Sequence, residues 1–150
     1  MPGGVTEMLD IGALLNPQRG HVPTTQAAGA VNGTGIDRIG QGDAGLFSES
    51  AVLLVMVGAT AGGPTSFTVD VKIQDSADNT TFADISPAIA ITQIVAASTS
   101  QAIKFRLKAL RRYIRAVCTV AFVGGASPTV VTASAVILGG EQKVPQTFAP

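Results

Sequence analysis

His21 and Cys118 are the only histidine and cysteine of this 150-residue chain, and they lie far apart in sequence. A zinc site needs about four ligands at short spacings, which one residue of each type does not supply. A reactive thiol needs a base or a positive field beside it. No histidine lies near Cys118, which sits in an apolar run, so it is expected to be a small buried hydrophobe. No serine carries the nucleophile-elbow pattern. Asn32-Gly33-Thr34-Gly35 looks superficially like a phosphate loop, but no helix pattern follows it and the stretch reads as loop. Asp75, Asp78, Asn79 and Asp84 bring oxygen ligands together at a density that could hold Ca²⁺. Their spacing is not that of an EF-hand and the closing Glu is missing. Asp and Asn are ordinary turn formers, so a solvated hairpin loop is expected there. No catalytic constellation results. The chain is not read as an enzyme, and no cofactor or metal is expected.

The basic residues are the remaining cluster. Lys104, Arg106, Lys108, Arg111, Arg112 and Arg115 supply six of the ten positive charges within twelve residues. Strand alternation would put the first three on one outward face, about 7 Å apart. Such a face either docks an acidic protein partner or is solvated opposite acidic neighbours such as Asp70. Nucleic acid is disfavoured, because Tyr113 is the one stacking aromatic nearby. The net charge of zero hides a segregation: residues 1–100 hold three basic and nine acidic residues, and residues 101–150 hold seven and one. Neutrality excludes a global field for nucleic acid or an anionic membrane, not a local docking surface.

The frame that positions these residues is all-β. Charged residues make up 13% of the chain and aromatics 5%, which excludes a coiled coil. The 46% hydrophobic content opposes disorder. The apolar run 51–57 is far short of the roughly 20 residues of a membrane helix, and the N-terminus is not patterned as a secretory signal. The run 51–58 predicts a strand buried on both faces. Phe67, Val69, Val71 and Ile73 alternate strictly with Thr68, Asp70, Lys72 and Gln74, as a half-buried strand does. Residues 82–85 predict a short strand, and 88–96 an apolar strand with Gln93 at a bulge or edge. Residues 102–108 place Ile103, Phe105 and Leu107 inward. Residues 112–122 place Ile114, Ala116, Cys118, Val120 and Phe122 on one face, and 129–138 form the last strand. Turn signals at Gly62-Gly63-Pro64 and Gly124-Gly125-Ala126-Ser127-Pro128 punctuate the pattern.

The predicted fold is a two-sheet antiparallel β-sandwich, a jelly roll of about eight strands with an extended N-terminal arm. An immunoglobulin-like sandwich ranks second. Residues 1–45 read as arm and loops, packed on the domain or swapped between subunits. Met8 to Leu15 would be a helical turn or apolar arm, 29–35 a loop, and 35–40 a short strand with Ile36 and Ile39 as its apolar members. Residues 46–140 form the sandwich and 141–150 a polar tail.

Four stretches carry a resemblance. They are Gly33-Thr34-Gly35-Ile36-Asp37-Arg38, the run from Ser66 through Ile73 and Asp78 to Asp84, Tyr113-Ile114-Arg115-Ala116, and Gly124-Gly125-Ala126-Ser127-Pro128 leading to Leu138-Gly139-Gly140. Each is common β chemistry, and their order and combination are what match. Over 33–140 the chain resembles the tailed-phage capsid decoration, or cement, proteins. The resemblance implies a jelly-roll subunit on the outside of an HK97-like capsid. It would bridge neighbouring major capsid proteins as a small homo-oligomer, a dimer or trimer. It would be made in the bacterial host cytoplasm and reside at the virion surface, with neither nucleic acid nor membrane as partner. No catalytic residues are implied. The alternative is a receptor- or carbohydrate-binding β-sandwich of a phage tail or fibre. Sugar platforms use exposed aromatics, and this chain has no Trp and one Tyr.

Overall fold

Period-two alternation of apolar and polar residues forces an extended chain with one face to bury, and two such sheets closing on each other satisfy it. The structure, a computed structural model, describes residues 15–38 and 48–140. Its strands are β1 (Leu15–Gln26), β2 (Gly29–Asn32), β3 (Ile36–Asp37), β4 (Ser48–Ala61), β5 (Ser66–Ser76), β6 (Ala83–Asp84), β7 (Thr99–Arg106), β8 (Tyr113–Val123) and β9 (Thr129–Gly140). One sheet, here sheet A, has the order β1-β9-β4-β7; the other, sheet B, has the order β2-β8-β5-β6 with β3 also on β8. All pairings between named strands are antiparallel.

β2 and β3 are two pieces of one strand laid along β8, from Gly29 opposite Val120 to Asp37 opposite Tyr113. The chain therefore alternates between the sheets: β1 in A, β2 and β3 in B, β4 in A, β5 and β6 in B, β7 in A, β8 in B, β9 in A. That weave is the jelly roll of eight strands expected from the sequence.

The core lies between the sheets. Ala51, Leu53, Val55 and Val57 of β4 and Val130, Val136 and Leu138 of β9 face Val69, Val71 and Ile73 of β5 and Ile114, Ala116 and Val120 of β8. The strict alternation of β5 comes out as read, with Phe67, Val69, Val71 and Ile73 all buried.

Three readings are corrected. Residues 15–26 and 29–32 are strands of the sandwich, not arm and loops, while Ile36–Asp37 is a short strand inside the expected 35–40: β1 pairs along β9 over almost its whole length. Its inward positions are polar, including His21 and Gln26, so it carries no hydrophobic alternation to read. The run 51–58 is buried on one face only, because Met56 is exposed on the other. Residues 88–96 do not form a strand. They touch the edge of β5 at isolated bridges, Val69 to Ile94 and Lys72 to Ala90. Ile91 and Ile94 anchor them in the core three residues apart, a spacing that a regular strand cannot turn to one side. The expected Met8–Leu15 arm (apart from Leu15 itself), the position of Ile39 and the tail 141–150 lie outside the described residues.

The close approach of β1 to the break between β2 and β3 depends on Gly33. Its N–H donates to the Ala116 carbonyl at 2.7 Å. A β-carbon there would run into the Gly20 carbonyl oxygen and sit 2.8 Å from that of Ala116. Both obstacles are backbone, so neither can rotate away. Gly33→Ala is expected to lower the unfolding free energy by about 1–3 kcal/mol or more, read by urea denaturation. An unchanged midpoint would mean that β1 and β8 move apart freely.

Candidate functional site

Because Phe105 and Leu107 are buried core residues, Lys104, Arg106 and Lys108 between and beside them must point away from the core, and all three are exposed. Lys104 stands opposite Val52 and Arg106 opposite Ser50, on the outer face of sheet A at its β7 edge. None of the three is ion-paired to another described residue.

The chain then crosses the end of the sandwich. Leu107 donates its N–H to the Glu49 carbonyl at 2.8 Å, and Leu110 closes a turn onto Leu107 at 2.9 Å. The remaining three cations are spent holding this crossing and the sheet B surface. The Arg111 N–H donates to Asp75 Oδ2 at 2.9 Å, and its guanidinium Nε lies 3.9 Å from Asp75 Oδ1. Arg112 grips Asp37 with Nε at 3.1 Å and Nη2 at 2.7 Å, and lies over the Tyr113 ring at 5.2 Å. Arg115 donates twice to Gln74 Oε1, at 2.9 and 2.7 Å, and covers the Phe82 ring at 4.2 Å. The six clustered basic residues thus divide into an exposed set, Lys104 and Arg106 on sheet A with Lys108 in the turn beyond it, and a bonded trio beside and on sheet B.

Arg38, just after β3, escaped notice in the sequence as an isolated arginine. It binds the same crossing: its Nε donates to the Arg111 carbonyl at 2.8 Å, its Nη2 to the Leu110 carbonyl, and its N–H to the Arg112 carbonyl at 3.2 Å. Burial pushes its pKa down, with Asp75 opposing the shift. The signal that could have found it is its place in the first resembling stretch.

The acidic loop does not converge on one point. Asp78 accepts the N–H groups of Thr81 at 2.8 Å and Thr80 at 2.9 Å and the Ser76 hydroxyl at 2.8 Å. Those backbone donors hold its carboxyl well below the usual range. Asp84 is lowered by Lys72 first and Gln74 second, each 2.7 Å away. Asp75 faces Arg111 instead. Among the described residues no three His, Cys, Asp or Glu side chains are grouped to hold a metal ion. The loop is a turn that stabilises itself.

The most buried polar set is one that the sequence did not flag. His21 Nδ1 is 2.7 Å from Ser134 Oγ and Nε2 is 3.1 Å from Thr132 Oγ1. Thr132 donates to Gln26 Oε1 at 3.0 Å, and Gln26 Nε2 donates to the carbonyls of Gly29 at 3.1 Å and Cys118 at 3.4 Å. Those two carbonyls fix which end of the Gln26 amide is nitrogen. Thr132 must then give its one proton to Gln26, so His21 Nε2–H donates to Thr132, and Nδ1 accepts from Ser134. Burial lowers the His21 pKa, so the ring sits neutral in this network. Cys118 lies buried beside it, and burial pushes its thiol up. With no carboxylate in the set, the network ties β1 to β9 and to sheet B. A shallow groove of 270 Å³ on sheet B is lined by Asp70, Lys72, Ala90, Ile91 and Thr119.

The fold and these surfaces define a jelly-roll β-sandwich in which, among the described residues, the cations with neither an ion pair nor a side-chain hydrogen bond gather on and beside sheet A. No family model matches the chain, and no curated protein does. Among solved structures it is similar to the crystal structure of PBSX exported protein XepA, with a TM-score of 0.50 and 14% identity over 90% of this chain. The chain spans 41% of that protein's length. At this identity the likeness shows a shared fold.

Proposed function

We propose that the chain is a structural virion protein of a tailed phage. It acts as a capsid decoration subunit that binds the outside of an HK97-like shell and bridges major capsid proteins as a small homo-oligomer. The observation that carries this reading is the jelly-roll weave of the two sheets, the subunit fold that the resemblance over 33–140 implies. The likeness to PBSX exported protein XepA is a likeness of fold, compatible with this reading.

The physics of a cement suits the molecule. Such a protein needs a rigid frame with adhesive area, and an interface of ordinary size buries about 1,600 Å² in total. Strands tied by long antiparallel ladders and by the buried His21 network supply rigidity.

The test is co-sedimentation with expanded capsid shells of the phage that encodes the chain, alongside light scattering of the free protein. The expected result is a small oligomer that pellets with shells and not with free capsid subunits. A strict monomer that stays in the supernatant would overturn the reading. Clear hits on a glycan array with no shell binding would move the protein to a tail or fibre.

A further inference from the structure

The outer face of sheet A has an apolar centre and cationic borders. Core residues at alternate positions fix it: since Leu53 and Val55 point inward, Val52, Leu54 and Met56 of β4 must point out, and since Val130 and Val136 point inward, Val131, Ala135 and Ile137 of β9 must point out. The register joins them into one strip. Val52 stands opposite Ile137 and Leu54 opposite Ala135. Met56 is 45% exposed and Val131 38%, large values for apolar side chains in the middle of a sheet. Arg19 borders the strip on β1, opposite Ala135, while Lys104 and Arg106 border it on β7. No carboxylate occupies these rows.

We propose that this face docks a different protein, through a surface with an apolar centre flanked by carboxylates. Charge complementarity selects that occupant over a second copy. The same face of a second copy would present the same cations, with Glu49 at the end of β4 as the one carboxylate on sheet A among the described residues. Among the described residues the carboxylates outside sheet A are engaged: Asp37 with Arg112, Asp75 with Arg111, Asp84 with Lys72, Asp70 with Gln93, and Asp78 within its own loop. A copy therefore has little to offer Lys104, Arg106 and Arg19. An acidic and apolar partner surface neutralises both borders while covering the strip, which is what gives such contacts their rate and specificity.

The inference deepens the capsid reading and rests on it only for the identity of the partner. Two variants test it, Met56→Glu/Val131→Glu at the centre and Lys104→Glu/Arg106→Glu at the border. All four side chains are exposed, so the melting temperature should hold and report folding. With full-length chain and expanded shells, each variant is expected to weaken pelleting about tenfold or more, the border variant most at low salt. Wild-type binding matched by both variants would overturn the face and leave the capsid reading standing. If wild type itself ignores shells, the capsid reading fails. The face is then decided on an adsorbent bearing both phenyl and carboxylate groups. There, retention weakened by both variants supports it and equal retention overturns it. A wild-type dimer in sedimentation velocity that Met56→Glu/Val131→Glu converts to monomer would make the occupant a second copy and overturn the proposal.

Discussion

Leu53→Ala is expected to lower the unfolding free energy by about 2–5 kcal/mol. Leu53 has no exposed surface and lies at the middle of β4, itself inside sheet A between β7 and β9. Its strand neighbours are Ile103 on one side and Val136 on the other. Both flanking ladders are continuous there, so the backbone cannot shift inward to fill the space. The cavity should persist, placing the loss toward the upper part of the range. A domain of this size is stable by about 5–15 kcal/mol, so the variant should lose a large share of its margin. Urea denaturation should show a lower midpoint with an unchanged slope. Met56→Ala, three residues along β4 and pointing outward, is the comparison and should cost well under half as much. Equal losses would mean that the interior of sheet A repacks.

Thr132→Val is the second large effect. The valine keeps the shape but removes the hydroxyl that both receives the His21 Nε2–H and donates to Gln26 Oε1. Two buried polar atoms then lose their partners, at about 1–3 kcal/mol each. The expected loss is about 2–6 kcal/mol from a substitution that deletes no core volume. The same network makes stability depend on pH. The His21 pKa is lowered from 6.5 by burial, so the folded ring stays neutral while the unfolded one takes a proton below that pH. The unfolded state therefore binds more protons. Stability is complete above pH 6.5 and falls as the pH drops from there toward the folded pKa, by at most about 1.4 kcal/mol per unit. Asp78 and Asp84 also have lowered pKa values, but their losses begin only near their ordinary value of 3.8. A decline between pH 6.5 and 5 thus belongs to His21. His21→Asn should abolish it, and a wild-type stability that is flat across that interval would contradict a buried neutral ring.

The sheet strands with an apolar inner face were legible. Along β5 and β8 every second residue is apolar, and no helix can gather those residues on one side. β1 was not legible for the opposite reason. Its inward residues, His21 and Gln26, find their partners Thr132 and Ser134 only once β9 lies alongside, over a hundred residues later in the chain. Residues 88–96 were misread because a run of apolar residues shows burial without showing pairing. The candidate site was half legible. Clustering of the basic residues was visible, and their outward alternation at Lys104 and Arg106 was correct. That Arg111, Arg112 and Arg115 would be engaged by Asp75, Asp37 and Gln74 was not visible, since those partners come from β3 and β5.

By itself, the sequence determined the all-β class, the turns, the inner face of the sandwich and the segregation of charge along the chain. Those properties depend on neighbours within a few residues, where side-chain alternation and glycine or proline chemistry act. Tertiary structure alone decided which polar residues are inside, which cations remain free, and that an apolar strip on sheet A faces outward. Each of these depends on strands that the jelly-roll weave brings together from opposite ends of the chain, and pairing at that range leaves no periodic mark on either segment alone.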